Sequence, residues 1–373
     1  GRTLTTIIVS ATALAKSGAL TILNEFIEYV SNLKKYKFII FIPDSVNLPK
    51  TVNIRYIPVP KKNWLSRIYW DSYGLRKYIR VNRLQYQAVI SLQNTSVNVE
   101  GKQIIYLHQS IPFIDFNIPL TSLWNLKLWL YKRFYSYFIF LFVDKNTSFI
   151  VQAKWLKEIL SDKYHIDAKK ISIIKPKARY VPLATNSIHN VAKLSKQLCN
   201  IIYPATPIFY KNHCVIIDAL RILKEQRNID NLCFNVTFSK GEYAKFDDLV
   251  RRYNLGKNIR YLGYLTRDEL YQHYDNSAFM VYPSYVETCG LPLLEAASKQ
   301  LPIIASDLPY ACEMLEAYTG VVYVKYNVST EWAREIDAMA RTGETRIIPP
   351  LLKAENGSDW NKLDNIIEGK DDV

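Results

Sequence analysis

Two glutamates, Glu287 and Glu295, stand with seven residues between them in the stretch YPSYVETCGLPLLE, residues 282–295. A carboxylate accepts two hydroxyl hydrogen bonds, so each acid can hold a polyol such as a sugar or a ribose. Gly290 permits a tight backbone just before a helix, and Pro292 fits a first helical turn. The stretch therefore reads as a strand end, a loop and a helix start, and a helix start presents unpaired N–H groups to an anion. The plainer reading makes Glu295 a partner of the helix dipole and Glu287 a solvated loop acid. Residue types alone leave both readings open.

Other candidates are more isolated. His108, in IIYLHQS, directly follows an apolar run. There it can hydrogen-bond a hydroxyl, or simply be a satisfied strand-end histidine. The first loop, SATALAKSGAL, holds Lys16, Ser17 and Gly18 but is no G-x-G-x-x-G, and a strand–loop–helix turn wants a glycine in any case. His165, His189, His213 and His273 form no ligand pair. The five cysteines show no Cys-x-x-Cys spacing, which argues against a disulfide framework or zinc and for a reducing compartment. No Asp-x-Asp occurs.

The elements that must position these residues are short continuous apolar runs alternating with helical patterns. Strands are expected at 6–10, 37–42, 53–57, 88–92, 103–107 and 149–152. After residue 190 the pattern restarts, at 200–203, 233–238, 259–262, 278–282, 302–305 and 321–324. Helices are expected at 213–226, 268–275, 291–299 and 331–340, with a last short one within 359–367. Continuous rather than alternating apolar runs suit parallel sheets covered on both faces. Two doubly wound α/β units follow one another, joined within 175–195, and ligands of such sheets bind beyond the carboxyl ends of the strands.

The chain has 373 residues and a net charge of +14. Residues 1–190 hold 27 Lys+Arg against 10 Asp+Glu, and the remainder 21 against 24. Only the first half is built to face something acidic. Two of its stretches, residues 61–83 and 122–142, mix Lys and Arg with Trp and Tyr, which suits an anionic membrane interface, or core helices with a solvated basic face. Nucleic acid is the rival partner, but no nucleic-acid module is recognisable and none is expected. No segment reaches the roughly 18 apolar residues of a spanning helix, and no signal peptide is visible.

The stretch PSYVETCGLPLLEAASKQLPIIASD resembles the donor-site signature of retaining glycosyltransferases of the GT-B fold, glycosyltransferase family 4. YLGYL at 261–265 and the helix start DEL at 268–270 resemble the same family. The resemblance implies two Rossmann-like domains facing across a cleft. Residues 1–185 would form the acceptor side and 186–345 the nucleotide-sugar side, with 346–373 a tail or helix packing back on the first domain. It implies that Glu287 holds hydroxyls of the transferred sugar and Glu295 the nucleotide ribose. The backbone at Thr288, Cys289, Gly290 and Leu291 would contact sugar and diphosphate, with Gly18, Gly263 and Tyr264 also on the donor side. Lys211, in YPATPIFYKNH, corresponds to the family's phosphate-binding lysine, and His108 to a histidine near the reacting carbon. The family's arginine about five residues before that lysine is missing, and Ala205 and Thr206 lie there instead, so Thr206 is a candidate phosphate contact. Cys289 stands where the family often has an aromatic or other residue.

The function this implies is transfer of a hexose-type sugar, with retention, from a nucleotide diphosphate sugar to a hydroxyl of a glycan or lipid-linked saccharide in bacterial surface-polysaccharide synthesis. No metal or further cofactor would be needed. The chain would act in the cytoplasm, at the inner face of the cell membrane. A sugar-nucleotide epimerase on the same fold and a non-catalytic nucleotide-sugar or anionic-polymer binder are the alternatives.

Overall fold

A computed structural model describes residues 3–60, 63–177, 198–342, 348–351 and 359–370. The chain divides into two compact units, one of residues 1–177 with 356–373 and the other of residues 178–355. The expected junction at 185/186 and His189 lie outside the described residues.

The first unit is a seven-stranded sheet of β1 (Thr5–Ser10), β2 (Tyr36–Pro43), β3 (Ile54–Val59), β4 (Ala88–Ser91), β5 (Lys102–Leu107), β6 (Thr147–Val151) and β7 (Ile171–Ile173). The order is β3-β2-β1-β4-β5-β6-β7, and every pairing is parallel. Ile7 lies opposite both Phe38 and Ala88, all three fully buried, as continuous apolar strands covered on both faces require. The C-terminal segment belongs to this unit's core. A short 3₁₀ turn, Asp359–Lys362, and the helix Leu363–Glu368 bring Trp360 to 5.3 Å from the rings of both Phe26 and Tyr106. Lys35 clamps the helix through Asp364 and Glu368, and Lys102 Nζ donates to the carbonyls of Ile366 and Ile367. Residues 348–351 lie instead with the second unit, where Gln300 donates to the Ile348 carbonyl.

The second unit is a six-stranded sheet of β8 (Cys199–Tyr203), β9 (Leu232–Val236), β10 (Ile259–Tyr261), β11 (Phe279–Tyr282), β12 (Ile303–Ser306) and β13 (Val321–Val324). The order is β10-β9-β8-β11-β12-β13, again all parallel. Strand order reverses between β8 and β11, so the loops after these two strands diverge and leave the crevice where doubly wound sheets bind ligands.

Candidate active site

Both loops at that crevice carry the predicted residues. After β8 the chain makes a 3₁₀ turn, Phe209–Lys211, and enters the helix His213–Arg227 through Asn212. Asn212 is left-handed (φ 67°), a conformation asparagine tolerates better than most residues. Its side-chain amide donates to the carbonyls of Pro283 (2.9 Å) and Tyr326 (2.8 Å), pinning the turn to the loops after β11 and β13. After β11 the chain runs through Glu287 to Gly290 and into the helix Leu291–Ser298, which carries Glu295.

Lys211 Nζ meets Glu287 Oε1 at 2.5 Å, with side-chain exposures of only 18% and 12%. This partly desolvated pair joins two of the predicted residues across 76 positions of sequence. Three buried tyrosines frame it. The Tyr282 hydroxyl donates to Glu287 Oε1 (3.2 Å), that of Tyr203 to the Lys211 carbonyl (2.6 Å) and that of Tyr310 to the Ser284 carbonyl (2.6 Å). Burial, reinforced by the charge of Glu287, pushes all three phenols well above their ordinary range, so they stay protonated donors. Tyr203 and Tyr282 end adjacent strands, with ring centroids 5.3 Å apart.

Gly290 is left-handed (φ 67°), and a Cβ there would meet the Tyr310 ring at 3.2 Å and Leu293 Cδ1 at 3.3 Å. Conformation and space both call for glycine. It starts a helix with Pro292, which has no N–H, in its first turn; the Leu293 amide donates to the Gly290 carbonyl, and the Leu291 amide stands at the helix start beside the loop.

Glu295 has a different setting. Burial pushes its carboxyl up to about 7, while Arg267 and Tyr274 pull it part of the way back. Arg267, Tyr271 and Tyr274 all come from the helix Arg267–Asp275, at spacings that share one face. That helix is fixed by a capping box: Thr266 Oγ1 accepts from the Glu269 amide, and the Glu269 carboxylate accepts from the Thr266 amide.

The remaining predicted residues are placed as follows. Thr288 is half-buried and Cys289 buried, both in the loop before Gly290. Leu291 opens the helix. Gly263 is left-handed (φ 70°) and its amide donates to the Phe238 carbonyl, whereas Tyr264 beside it is 93% exposed. Thr206 is exposed, and its carbonyl accepts from the Ile208 amide. His213 is a core residue rather than a site residue. It is fully buried, its ring lies 4.6 Å from that of Tyr203, and burial pushes it down to about 3.

Gly18 and His108 belong to the first unit. Gly18 lies in the first turn of the helix Ser17–Ser31, where an added Cβ would meet nothing within 4 Å, and the left-handed residue of that turn is Ser17 (φ 53°). The Gln93 side chain holds this loop, accepting from the Ala13 amide at 2.8 Å. His108 follows β5. Its ring nitrogen Nε2 lies 3.1 Å from the Leu92 carbonyl, and burial pushes its pKa down to about 4, so it is a neutral imidazole at physiological pH. Its amide donates to Asn94 Oδ1 (2.7 Å), and Asn94 is itself left-handed.

The sequence reading did not pick out the framing tyrosines, Asn212, Arg267 or Gln93. Tyr203 and Tyr282 carried a signal, as polar-tipped aromatics at the carboxyl ends of apolar runs. Arg267 and Gln93 carried none.

Residues 187–347 match the family described as glycosyl transferases group 1. The O-antigen chain mannosyltransferase RfbU of Salmonella typhimurium is 22% identical over 302 residues, covering 80% of this chain and 75% of that protein. The GtfA subunit of a UDP-N-acetylglucosamine–peptide N-acetylglucosaminyltransferase from Streptococcus parasanguinis is 25% identical over 181 residues, 48% of this chain. The match spans about a third (34%) of that relative's length. Among solved structures, the apo form of the lipopolysaccharide outer core galactosyltransferase WaaB superposes with a TM-score of 0.62 at 14% identity, covering 99% of this chain and 96% of that one. The fold is thus that of the GT-B class, with two parallel-sheet Rossmann-like domains, and the second carries a glycosyl transferases group 1 match.

Proposed function

We propose that this protein is a retaining glycosyltransferase that moves a hexose-type sugar from a nucleotide diphosphate sugar to a hydroxyl of a glycan or lipid-linked saccharide. The observation that carries the reading is the Lys211–Glu287 pair at the reversal between β8 and β11. In this reading Glu287 accepts hydrogen bonds from sugar hydroxyls and Lys211 turns its ammonium to the diphosphate. The Leu291 amide at the start of Leu291–Ser298 offers a backbone donor to the same anion, and Glu295 accepts from the ribose hydroxyls. His108, neutral, serves as a hydrogen-bond partner for a sugar hydroxyl.

The anomeric C–O bond to the diphosphate breaks through an oxocarbenium-like transition state. The acceptor oxygen bonds to the same face, and its proton passes to the departing phosphate oxygen. Glu287 then positions the donor and does not attack it. Negative charge grows on the leaving diphosphate, where a fixed cation in a partly dry site stabilises the transition state by several kcal/mol. Lys211 and the helix start fill this role without a metal. The names of the relatives support surface-polysaccharide synthesis as the setting.

A panel of UDP-, GDP-, dTDP- and CMP-sugars, read by thermal shift and by product formation, tests the reading. One nucleotide series should stabilise the wild type and give product of retained configuration in the presence of EDTA. Loss of turnover with EDTA and rescue by Mn²⁺, or an isomerised sugar nucleotide with no acceptor dependence, would overturn it.

A further inference from the structure

Strand order in the first sheet also reverses, between β1 and β4, so this unit has a crevice of its own where the loops after those strands part. Its floor is polar and buried: Thr12, Gln93, Asn94 and Thr95 are each no more than 4% exposed. Buried polar groups must find partners, and these find them in one connected network. Gln93 is held from two sides. Its carbonyl accepts from the Arg67 guanidinium and from the Tyr135 hydroxyl (3.3 Å), while its side chain accepts from the Ala13 amide (2.8 Å) and donates to Thr12 Oγ1 (3.2 Å). The backbone at residue 93 is therefore fixed before any ligand arrives.

Asn94 follows, left-handed at φ 70°, with its amide donating to the Tyr106 carbonyl (3.2 Å). Its side chain reaches across to the loop after β5. Oδ1 accepts from the amides of both His108 (2.7 Å) and Gln109 (3.0 Å). These two donors decide which way the side-chain amide lies, so Nδ2 faces the imidazole, 3.1 Å from His108 Nε2. The Leu92 carbonyl stands at the same distance, 3.1 Å, from that nitrogen. An amide N–H only donates and a carbonyl only accepts, so Nε2 serves one neighbour or the other. A proton on Nε2, which an imidazolium always carries, sets one N–H against another.

We infer that Asn94 is a positioning residue for His108: it ties the loop after β4 to the loop after β5 and holds the imidazole with Nε2 turned to Asn94 and Leu92. Asparagine suits the place twice, because it tolerates the left-handed backbone and because one planar group offers both an acceptor and a donor. Arg67 and Gln93 act one step further back, by fixing the backbone from which Asn94 reaches. The same amide opposes a second proton on the ring, so His108 meets a hydroxyl as a neutral imidazole. Burial lowers the pKa of the ring most, the Leu92 carbonyl pulls the other way, and the charge of Arg67 lowers it further. Asp71, which accepts from Thr95 Oγ1 at 2.6 Å, is the acid behind Arg67. The catalytic meaning of this geometry rests on the role proposed above for His108.

Nitrogen-15 histidine spectra of the full chain test it, with His108 identified by the signals that His108→Gln removes. In the wild type the ring should stay neutral from about pH 8 down to about pH 5. Asn94→Asp keeps an acceptor for the two amides but turns a carboxylate oxygen to Nε2, so the His108 midpoint should rise by about 1–3 pH units. Turnover should then acquire an acid limb at that midpoint, which a merely structural role would not produce. Asn94→Gly keeps the left-handed backbone without the side chain. It should alter the ring signals and lower turnover about tenfold or more. A wild-type His108 that titrates near its ordinary 6.5, an unmoved midpoint in Asn94→Asp, or ring signals and turnover unchanged in Asn94→Gly would each overturn the inference. A wild type that uses no sugar nucleotide would sink the sugar-transfer reading instead, and the spectra would still decide whether Asn94 holds the ring.

Discussion

The two units share one architecture but treat their surfaces in opposite ways. Among the described residues the second unit exposes two large hydrophobic side chains, Leu198 and Tyr264, while the first concentrates 14 in two segments, 64–81 and 120–141. The second unit instead invests in charged groups at its strand ends. Lys211 and Glu287 neutralise each other inside a frame of buried tyrosines, and Glu295 is drawn into surroundings that raise its pKa.

Substitutions can break this division of labour. The largest effect is expected from Lys211→Ala, which removes the cation proposed to face the leaving group. Turnover should fall by about 10²–10³, with some loss of thermal stability because Glu287 loses its counter-charge, whereas Lys127→Ala in the first unit should leave turnover on a soluble acceptor intact. Steady-state kinetics of both variants check the contrast. Next is Gly290→Ala, which places a Cβ at positive φ against the Tyr310 ring. It should destabilise the protein by about 1–3 kcal/mol and weaken donor binding, measured by denaturant unfolding and calorimetric titration.

A smaller effect sharpens the comparison through Glu295. Its folded carboxyl keeps the proton up to about 7, against 4.5 as its ordinary value. The folded state therefore binds more protons in that window, and stability falls as pH rises through it. Glu295→Gln should be more stable than wild type at about pH 8, with the difference closing at about pH 4. With Glu295 in its proposed role of accepting from ribose hydroxyls, the wild-type KM for donor should rise as pH falls below about 7, a dependence that Glu295→Gln lacks. Unfolding midpoints and donor KM across pH read both signs. Smallest is Thr206→Ala. The side chain is exposed, so donor affinity should change by no more than about twofold, and a larger change would make Thr206 a phosphate contact.

Much of this was legible in the chain. Continuous apolar runs such as TIIVS and KFIIFI are strands β1 and β2, because residues buried on both sheet faces leave no polar alternation. Strand β7, only Ile171–Ile173 and preceded by Lys169 and Lys170, was too short for its pattern to stand out. The helices Ala244–Arg252 and Pro309–Met314 escaped for the same reason. In the site, Glu287, Gly290 and Glu295 were readable because one local motif holds them. Arg267 reaches Glu295 only through the packing of one helix against another, and Gln93 reaches Ala13 across 80 positions. Such partners are set by tertiary structure and leave no local trace. Gly18 shows the converse error: a glycine in a strand–loop–helix turn invites a conformational role, but the turn takes its positive φ at Ser17.

The central claim is that the acid–lysine pair of the second unit grips an activated sugar. A crystal soaked with the nucleotide diphosphate sugar that stabilises the protein most tests it directly. The account predicts hexose hydroxyls on the Glu287 carboxylate and a phosphate oxygen on Lys211 Nζ, their mutual contact opened to admit the ligand. A sugar nucleotide bound elsewhere, with the Lys211–Glu287 contact still closed, would contradict it.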